Sequence, residues 1–405
     1  MDRTLVAFYL LLVSCAIALS IFVSRTIGNL VVLGAYGMFL VVAFTTRDGL
    51  QEIREFRWPY IPVQTHRALL YPAVVLWVVF AIGLVLNPSM QAFLRFGAFV
   101  GLSAITLFIV PAVVSRKRAF TAIGVVGAVC VLLALPSIIW PDYTIAGVEI
   151  THVLDSQRSE LTLGVIRRTP TSIFDGISYF RILVTFGAVC AAGVAARTRS
   201  PWMVAACALN LFGVFLGLGR ASILALVIAT ALAVGYLLVG RTALAGMMTA
   251  GTLATAGGLA IAFGFLPGPT GLFQSVLGPR VGFWTATYEA FVARPILGWG
   301  LTDTTAIVHD FYPGETLTGT HNSYLRLFVI GGIVGGLAYL ALSVSALVLA
   351  FRRVRQHTSL ALTTFCLVVM ALVIQLFTGG TIFGTNLSSV LWALSLAYAQ
   401  PAIGD

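Results

Sequence analysis

The chain has 405 residues, of which 59% are hydrophobic and 9% charged, with a formal net charge of +10. That is too little polar surface to cover a water-soluble globule of this length, so lipid is the solvent for most of the fold. The basic residues are spread over several short connections and not gathered in a compact module with interleaved aromatics, which excludes nucleic acid as a partner class.

Apolar runs of about 20 residues, the length a helix needs to cross a hydrocarbon core of about 30 Å, recur along the whole chain. They predict about twelve transmembrane helices, at 4–23, 27–44, 68–87, 92–114, 119–139, 178–196, 202–218, 222–239, 243–265, 323–350, 361–378 and 381–399. The runs lack the period-two alternation of a membrane barrel, so the expected fold class is an all-α polytopic membrane protein, a single integral domain over 1–405. "LVSC" at 12–15 resembles a lipoprotein cleavage site, but the apolar run continues to Val23, which favours an uncleaved first helix. Cys15, Cys130, Cys190, Cys207 and Cys366 all fall inside predicted spans, so neither a disulfide framework nor a cysteine metal site is implied.

Arginine placement orients the chain. Connections holding Arg47, Arg54, Arg57 and Arg67, then Arg116, Lys117 and Arg118, then Arg197 and Arg199, then Arg241, then Arg352, Arg353 and Arg355 alternate with connections poor in basic residues. By the positive-inside rule the first set is cytoplasmic, as are both termini, and the long loops 140–177 and 266–321 lie on the outer face. Arg158, Arg167, Arg168, Arg220, Arg280 and Arg294 then lie outside against the rule, and Arg181 and Arg326 sit at outer helix ends. Arginine costs about 2.5–3.5 kcal/mol at the centre of a span and less near an interface, so such residues are usually retained for a partner. An anionic ligand on the outer face accounts for them.

Within "LGLGRASILALVIA" (216–229), Arg220 stands in a minimal turn with Ser222 near the start of the next helix. A guanidinium fork matches phosphate oxygens, and free N–H groups at a helix start add to the attraction; the plainer alternative is an arginine snorkelling to lipid headgroups. In "GPRVGFWTATYEAFVARPILGWG" (278–300), Phe283, Trp284, Tyr288 and Phe291 recur at helical spacing between Pro279 and Pro295, which predicts an amphipathic interfacial helix at about 280–293 with Arg280 at its N-terminal end. A structural lid without ligand contacts is the alternative. Arg167 and Arg168 precede a Pro-Thr-Ser turn in a loop of mixed charge, where a solvated pair is an equal reading. His321 and Asn322 stand where the second outer loop meets a long helix. An imidazole at this boundary can be neutral near pH 7, as a general base toward a hydroxyl must be, while Asn322 can cap the helix or orient a sugar. His152 and His309 lack ligand spacing to His321, so no metal is expected.

Three stretches together resemble the O-antigen ligase and O-antigen polymerase superfamily of bacterial envelope glycosyltransferases. Gly219-Arg220-Ala221-Ser222 is similar to that family's Ser-Arg segment, with Gly219 in place of the usual serine. Arg280, Trp284, Pro295 and Gly298-Trp299-Gly300 look like its Arg, Trp, Pro, Gly-x-Gly signature. His321-Asn322, nine residues, then Gly332-Ile333-Val334-Gly335 matches the ligase pattern His-Asn-x9-Gly-x-x-Gly, with Ala338 at the following small position.

The resemblance covers roughly residues 165 to 340 and implies a GT-C-like glycosyltransferase of the bacterial inner membrane, its active site facing the periplasm, with no cofactor and no metal. The implied donor is a glycan on undecaprenyl pyrophosphate; the acceptor is a sugar hydroxyl of lipid A-core in a ligase, or a second lipid-linked repeat in a polymerase. On this reading His321 is the catalytic base of an inverting transfer, and Arg220, Arg280 and Arg168 bind the pyrophosphate. Asn322, Tyr324, Ser222 and Trp284 are supporting or acceptor contacts. The close fit to the His-Asn motif favours the ligase. A lipid-linked glycan transporter is the competing class, against which stand the absence of an internal repeat and the scarcity of mid-span charge.

Overall fold

A computed structural model of the chain describes residues 2–20, 22–45, 63–140, 143–145, 148–149, 152–154, 168–174, 176–278, 280–312, 320–380 and 384–400. Apolar helices form at all twelve predicted segments: α1 (Arg3–Ile17), α2 (Arg25–Thr45), α3 (Val63–Leu86), α4 (Met90–Ala104, continued to Val113), α5 (Arg116–Ala134), α6 (Ile177–Thr198), α7 (Pro201–Gly217), α8 (Arg220–Val239), α9 (Arg241–Ala262), α13 (Ser323–Arg353), α14 (Ser359–Gln375) and α15 (Leu387–Ala399). Among the described residues, eight of these are long and apolar enough to cross a membrane unaided; α1, α7, α14 and α15 are shorter. The protein is thus an all-α polytopic membrane protein. Three short helices lie in the second long loop, α10 (Thr270–Leu277), α11 (Arg280–Ala293) and α12 (Thr304–Asp310). The first long loop carries two small antiparallel pairs, β1 (Thr144–Ile145) with β2 (Val148–Glu149) and β3 (His152–Leu154) with β4 (Arg168–Pro170).

The helices sort by burial. All thirteen residues of α15 are buried, against α13, α14 and α6, and α6 packs in turn on α5, α7 and α14. By contrast α8 and α9 leave Leu237, Leu238, Val239 and Leu253 exposed, surface suited to acyl chains and not to water. Close approach within α5–α7 depends on missing side chains. Asn210 of α7 donates through Nδ2 to the Gly124 and Ala206 carbonyls at 2.9 and 2.8 Å, and a Cβ at Gly127 or Gly187 would fall 2.3 or 2.4 Å from its Oδ1.

Two helices depart from regular winding for identifiable reasons. In α4, Pro111 has no N–H for the Leu107 carbonyl; the helix widens into a π turn at Ile105–Ile109 and Gln400 Nε2 donates to that carbonyl at 2.9 Å. In α13, Gly332 adopts φ 62°, ψ −163° and breaks the helix. The turn after α11 repairs the break: Trp299 N donates to Val329 O and Gly300 N to Ile330 O, both at 2.9 Å, while Ile333 N turns to Pro295 O at 2.7 Å. A Cβ at Gly332 would lie 2.1 Å from Ile296 O, and one at Gly298 would lie 2.4 Å from Val329 O. The glycines of the Gly-Trp-Gly and Gly-x-x-Gly motifs are therefore the two faces of one backbone junction.

Candidate active site

A cavity of about 620 Å³ lies where the starts of α8, α11, α13 and α15 meet the N-terminal part of α6. Arg181, Arg220, Arg280 and Arg326 border it together with His321, and among its described lining residues there is no carboxylate. Four arginines gathered on one cavity make the site complementary to a compact polyanion.

Backbone geometry fixes each of these side chains. Arg220 and Arg280 are the first residues of α8 and α11, so the unsatisfied N–H groups of both helix starts accompany their guanidinium groups. Ser222, one turn into α8, is buried and also borders the cavity. Arg181 Nε donates to Gly217 O at 2.6 Å, at the end of α7. A Cβ at residue 219 would stand 2.7 Å from Arg181 Cδ, so the serine expected at Gly219 has no room beside this arginine. Arg326 reaches across α13 and donates from Nε to Thr304 Oγ1 at 3.2 Å and from Nη1 to Gly379 O at 2.7 Å.

His321 occupies the left-handed region, φ 47°, in the turn that opens α13. Three contacts hold the turn. Asn322 caps the helix, its Oδ1 accepting from Tyr324 N and Leu325 N at 3.0 and 3.1 Å. Thr320 Oγ1 donates to Asn322 O at 3.3 Å, and the Phe283 ring of α11 stacks on the imidazole with centroids 5.7 Å apart and planes 23° apart. Burial, and then the charge of Arg280, pull the His321 pKa below the ordinary histidine value, which keeps the imidazole unprotonated near pH 7. Arg280 is lowered too, first by burial and then by the like charge of Arg220, and its Nε is buried without an acceptor among the described residues. Its guanidinium still carries its charge at neutral pH, and an anion between Arg220 and Arg280 would relieve both strains.

The other residues singled out from the sequence lie elsewhere. The Asn322 side chain is engaged in capping and does not border the cavity. Tyr324 turns inward, its hydroxyl donating to Leu372 O at 3.3 Å and its ring meeting Tyr339 edge-on. Trp284 is buried against Phe263, with ring centroids 6.3 Å apart. The aromatic stripe of α11 is split accordingly: Phe283 and Trp284 face inward while Tyr288 is 59% exposed. Arg168 belongs to β4, and its side chain, like Arg158 and Arg167, lies outside the described residues. Arg181 and Arg326 were marked only by their place at outer helix ends. Trp392 and Ser388, which also border the cavity, gave no signal in a wholly apolar run.

A second cavity, a groove of about 1140 Å³, runs between α2 and α4 and against α13. Its walls are apolar, with Leu30, Leu33, Phe93 and Leu94, and its polar end holds Arg95, Asp303 and Arg326. Gly37, Gly97 and Gly101 border it with open space where a Cβ would stand. Arg326 borders both cavities.

Residues 182–340 match the Wzy_C family model, described as O-antigen ligase, a family of ligase- and polymerase-type glycan transferases. No curated protein matches the chain. The matched stretch contains Arg220, Arg280, His321 and Arg326 and ends before α14 and α15.

Proposed function

Because the chain carries the domain of the O-antigen ligase superfamily, we propose that it transfers a glycan from undecaprenyl pyrophosphate to a sugar hydroxyl of lipid A-core, at the periplasmic face of the bacterial inner membrane. The observation that carries this reading is one cavity bordered by His321 and four arginines, with no carboxylate among the described lining residues. Arg220 and Arg280, with Arg168 as a further candidate, grip the pyrophosphate. His321 accepts the proton of the acceptor hydroxyl as its oxygen bonds to the anomeric carbon. The bond from that carbon to the pyrophosphate oxygen breaks, and the electron pair leaves with the pyrophosphate, giving inversion. The arginines stabilise the charge that develops on the leaving group, the task a metal ion performs in other transferases. Asn322 supports the transfer by fixing the turn that carries His321. Ser222 stands beside the phosphate grip, while Trp284 and Tyr324 brace the elements behind it. The prenyl tail lies in the apolar groove, and Arg326 marks where tail and head part. Both termini are cytoplasmic.

Purified protein incubated with lipid-linked glycan and lipid A-core in the presence of EDTA tests the reading. Glycan on lipid A-core from wild type but not from His321→Ala is the expected result. Longer lipid-linked chains without attachment would instead identify a polymerase. Absence of both products, with glycan lipid crossing vesicles that contain the protein, would sink transfer in favour of transport.

A further inference from the structure

The elements that line the cavity differ in charge. Its cations come from α6, α8, α11 and α13, whereas α15 and the turn before it contribute Thr378, Gly380, Asn386, Ser388 and Trp392, none of them charged. This neutral side lies outside the matched family domain.

It is also built with care for one ring. Trp392 is fully buried, borders the cavity, and has no acceptor for its indole Nε1–H among the described residues. A Cβ at Gly380 would come 3.0 Å from the indole Cη2 and Cζ3, so the turn passes close against the ring. Three successive carbonyls of that turn are pinned from α13. Ser323 Oγ shares its one proton between Thr378 O, at 2.8 Å, and the Gly380 carbonyl, and Arg326 Nη1 donates to Gly379 O at 2.7 Å. Asn386 caps α15, accepting from Ser389 N at 2.8 Å and from Ser388 Oγ at 2.7 Å.

We propose that this neutral wall is a sugar subsite, in which Trp392 Nε1–H donates to an oxygen of the first sugar of the lipid-linked glycan. The inference rests on the donor-site reading above. A sugar esterified to pyrophosphate lies next to the phosphates, so the groups that recognise it must border the same cavity without being the arginines that grip the phosphates. An aromatic ring with neutral hydrogen-bonding neighbours suits a carbohydrate; guanidinium groups suit phosphate.

The test measures binding of two lipids, bare undecaprenyl pyrophosphate and the same lipid bearing its glycan, to detergent-purified wild type and Trp392→Phe. The phenyl ring preserves most of the packing and removes only the donor. Trp392→Phe is expected to bind the glycan-bearing lipid about tenfold more weakly and the bare lipid as wild type does. An unchanged preference for the glycan-bearing lipid would overturn the subsite while leaving the donor site intact, and equal weakening for both lipids would reduce Trp392 to a packing residue. A wild type that binds neither lipid would remove the donor-site reading and the subsite with it. If Trp392→Phe does not accumulate as folded protein, Ser388→Ala carries the same comparison, with a selective loss for the glycan-bearing lipid again expected and no selective loss overturning the proposal.

Discussion

The arginine-lined cavity and the apolar groove beside it share Arg326 but are made in opposite ways. The cavity is specified by what is present: first residues of helices, a histidine held in a left-handed turn, and guanidinium groups aligned by backbone carbonyls. The groove is specified by what is missing, the side chains of Gly37, Gly97 and Gly101. Point deletions should therefore abolish the function of the first and barely touch the second, whereas added bulk should injure the second alone.

The largest effect is expected from the base. His321→Ala should lower the transfer rate by about 10²–10⁴-fold at saturating substrates, the range general-base catalysis contributes; a rate within tenfold of wild type would remove the histidine from the chemistry. Next comes the phosphate grip. Arg280→Ala should cost about 10²–10³-fold in kcat, as losing one preorganised donor to developing charge does elsewhere, and Arg220→Ala should fall in the same range, because the two guanidinium groups act on the same phosphates. Gel-resolved product formation over time reads both.

A smaller loss is expected in the groove. Gly97→Trp should raise KM for the long-chain donor by about tenfold, roughly 1.4 kcal/mol of binding, with kcat near wild type and little change for a donor with a truncated prenyl chain. Equal loss for both donors would mean that the groove is structural and not a path for the tail. The smallest effect concerns pH. Since burial and Arg280 hold the His321 pKa below its ordinary value, the unprotonated base persists at neutral pH, and kcat/KM should decline only as pH falls through that lowered value. In Arg280→Ala one of the two causes is gone, so the acid limb of the residual activity should move to higher pH. An unmoved limb would separate the histidine from the arginine.

Much of the frame was legible because lipid imposes a coarse rule: apolar runs become helices, and all twelve did, eight of them, among the described residues, long enough to cross unaided. The helix from Arg280 to Ala293 was readable too, bounded by prolines and marked by aromatics. Helices α10 and α12 were not, because eight and seven residues in a mixed loop carry too few turns for a periodic signal. The break in α13 was hidden for a different reason. Gly332 sits inside an uninterrupted apolar run, and only its close approach to the Ile296 and Leu297 backbone reveals why a glycine stands there. Arg220, Arg280 and His321 drew attention as polar residues at apolar boundaries. Their convergence, and the addition of Arg181, Arg326 and Trp392, depends on contacts between segments up to about two hundred residues apart, for which one sequence contains no signal.

The junction at Gly332 has a mechanical corollary. Arg280 starts one helix and His321 opens another, but the segment that follows the first is fastened to the middle of the second by three main-chain hydrogen bonds, which tolerate no side chain at Gly298 or Gly332. The separation between Arg280 and His321 is thereby fixed by a closed loop of backbone, like the span of a calliper locked at its pivot. Whatever presses on the exposed side of α11, where Tyr288 stands, that span stays constant.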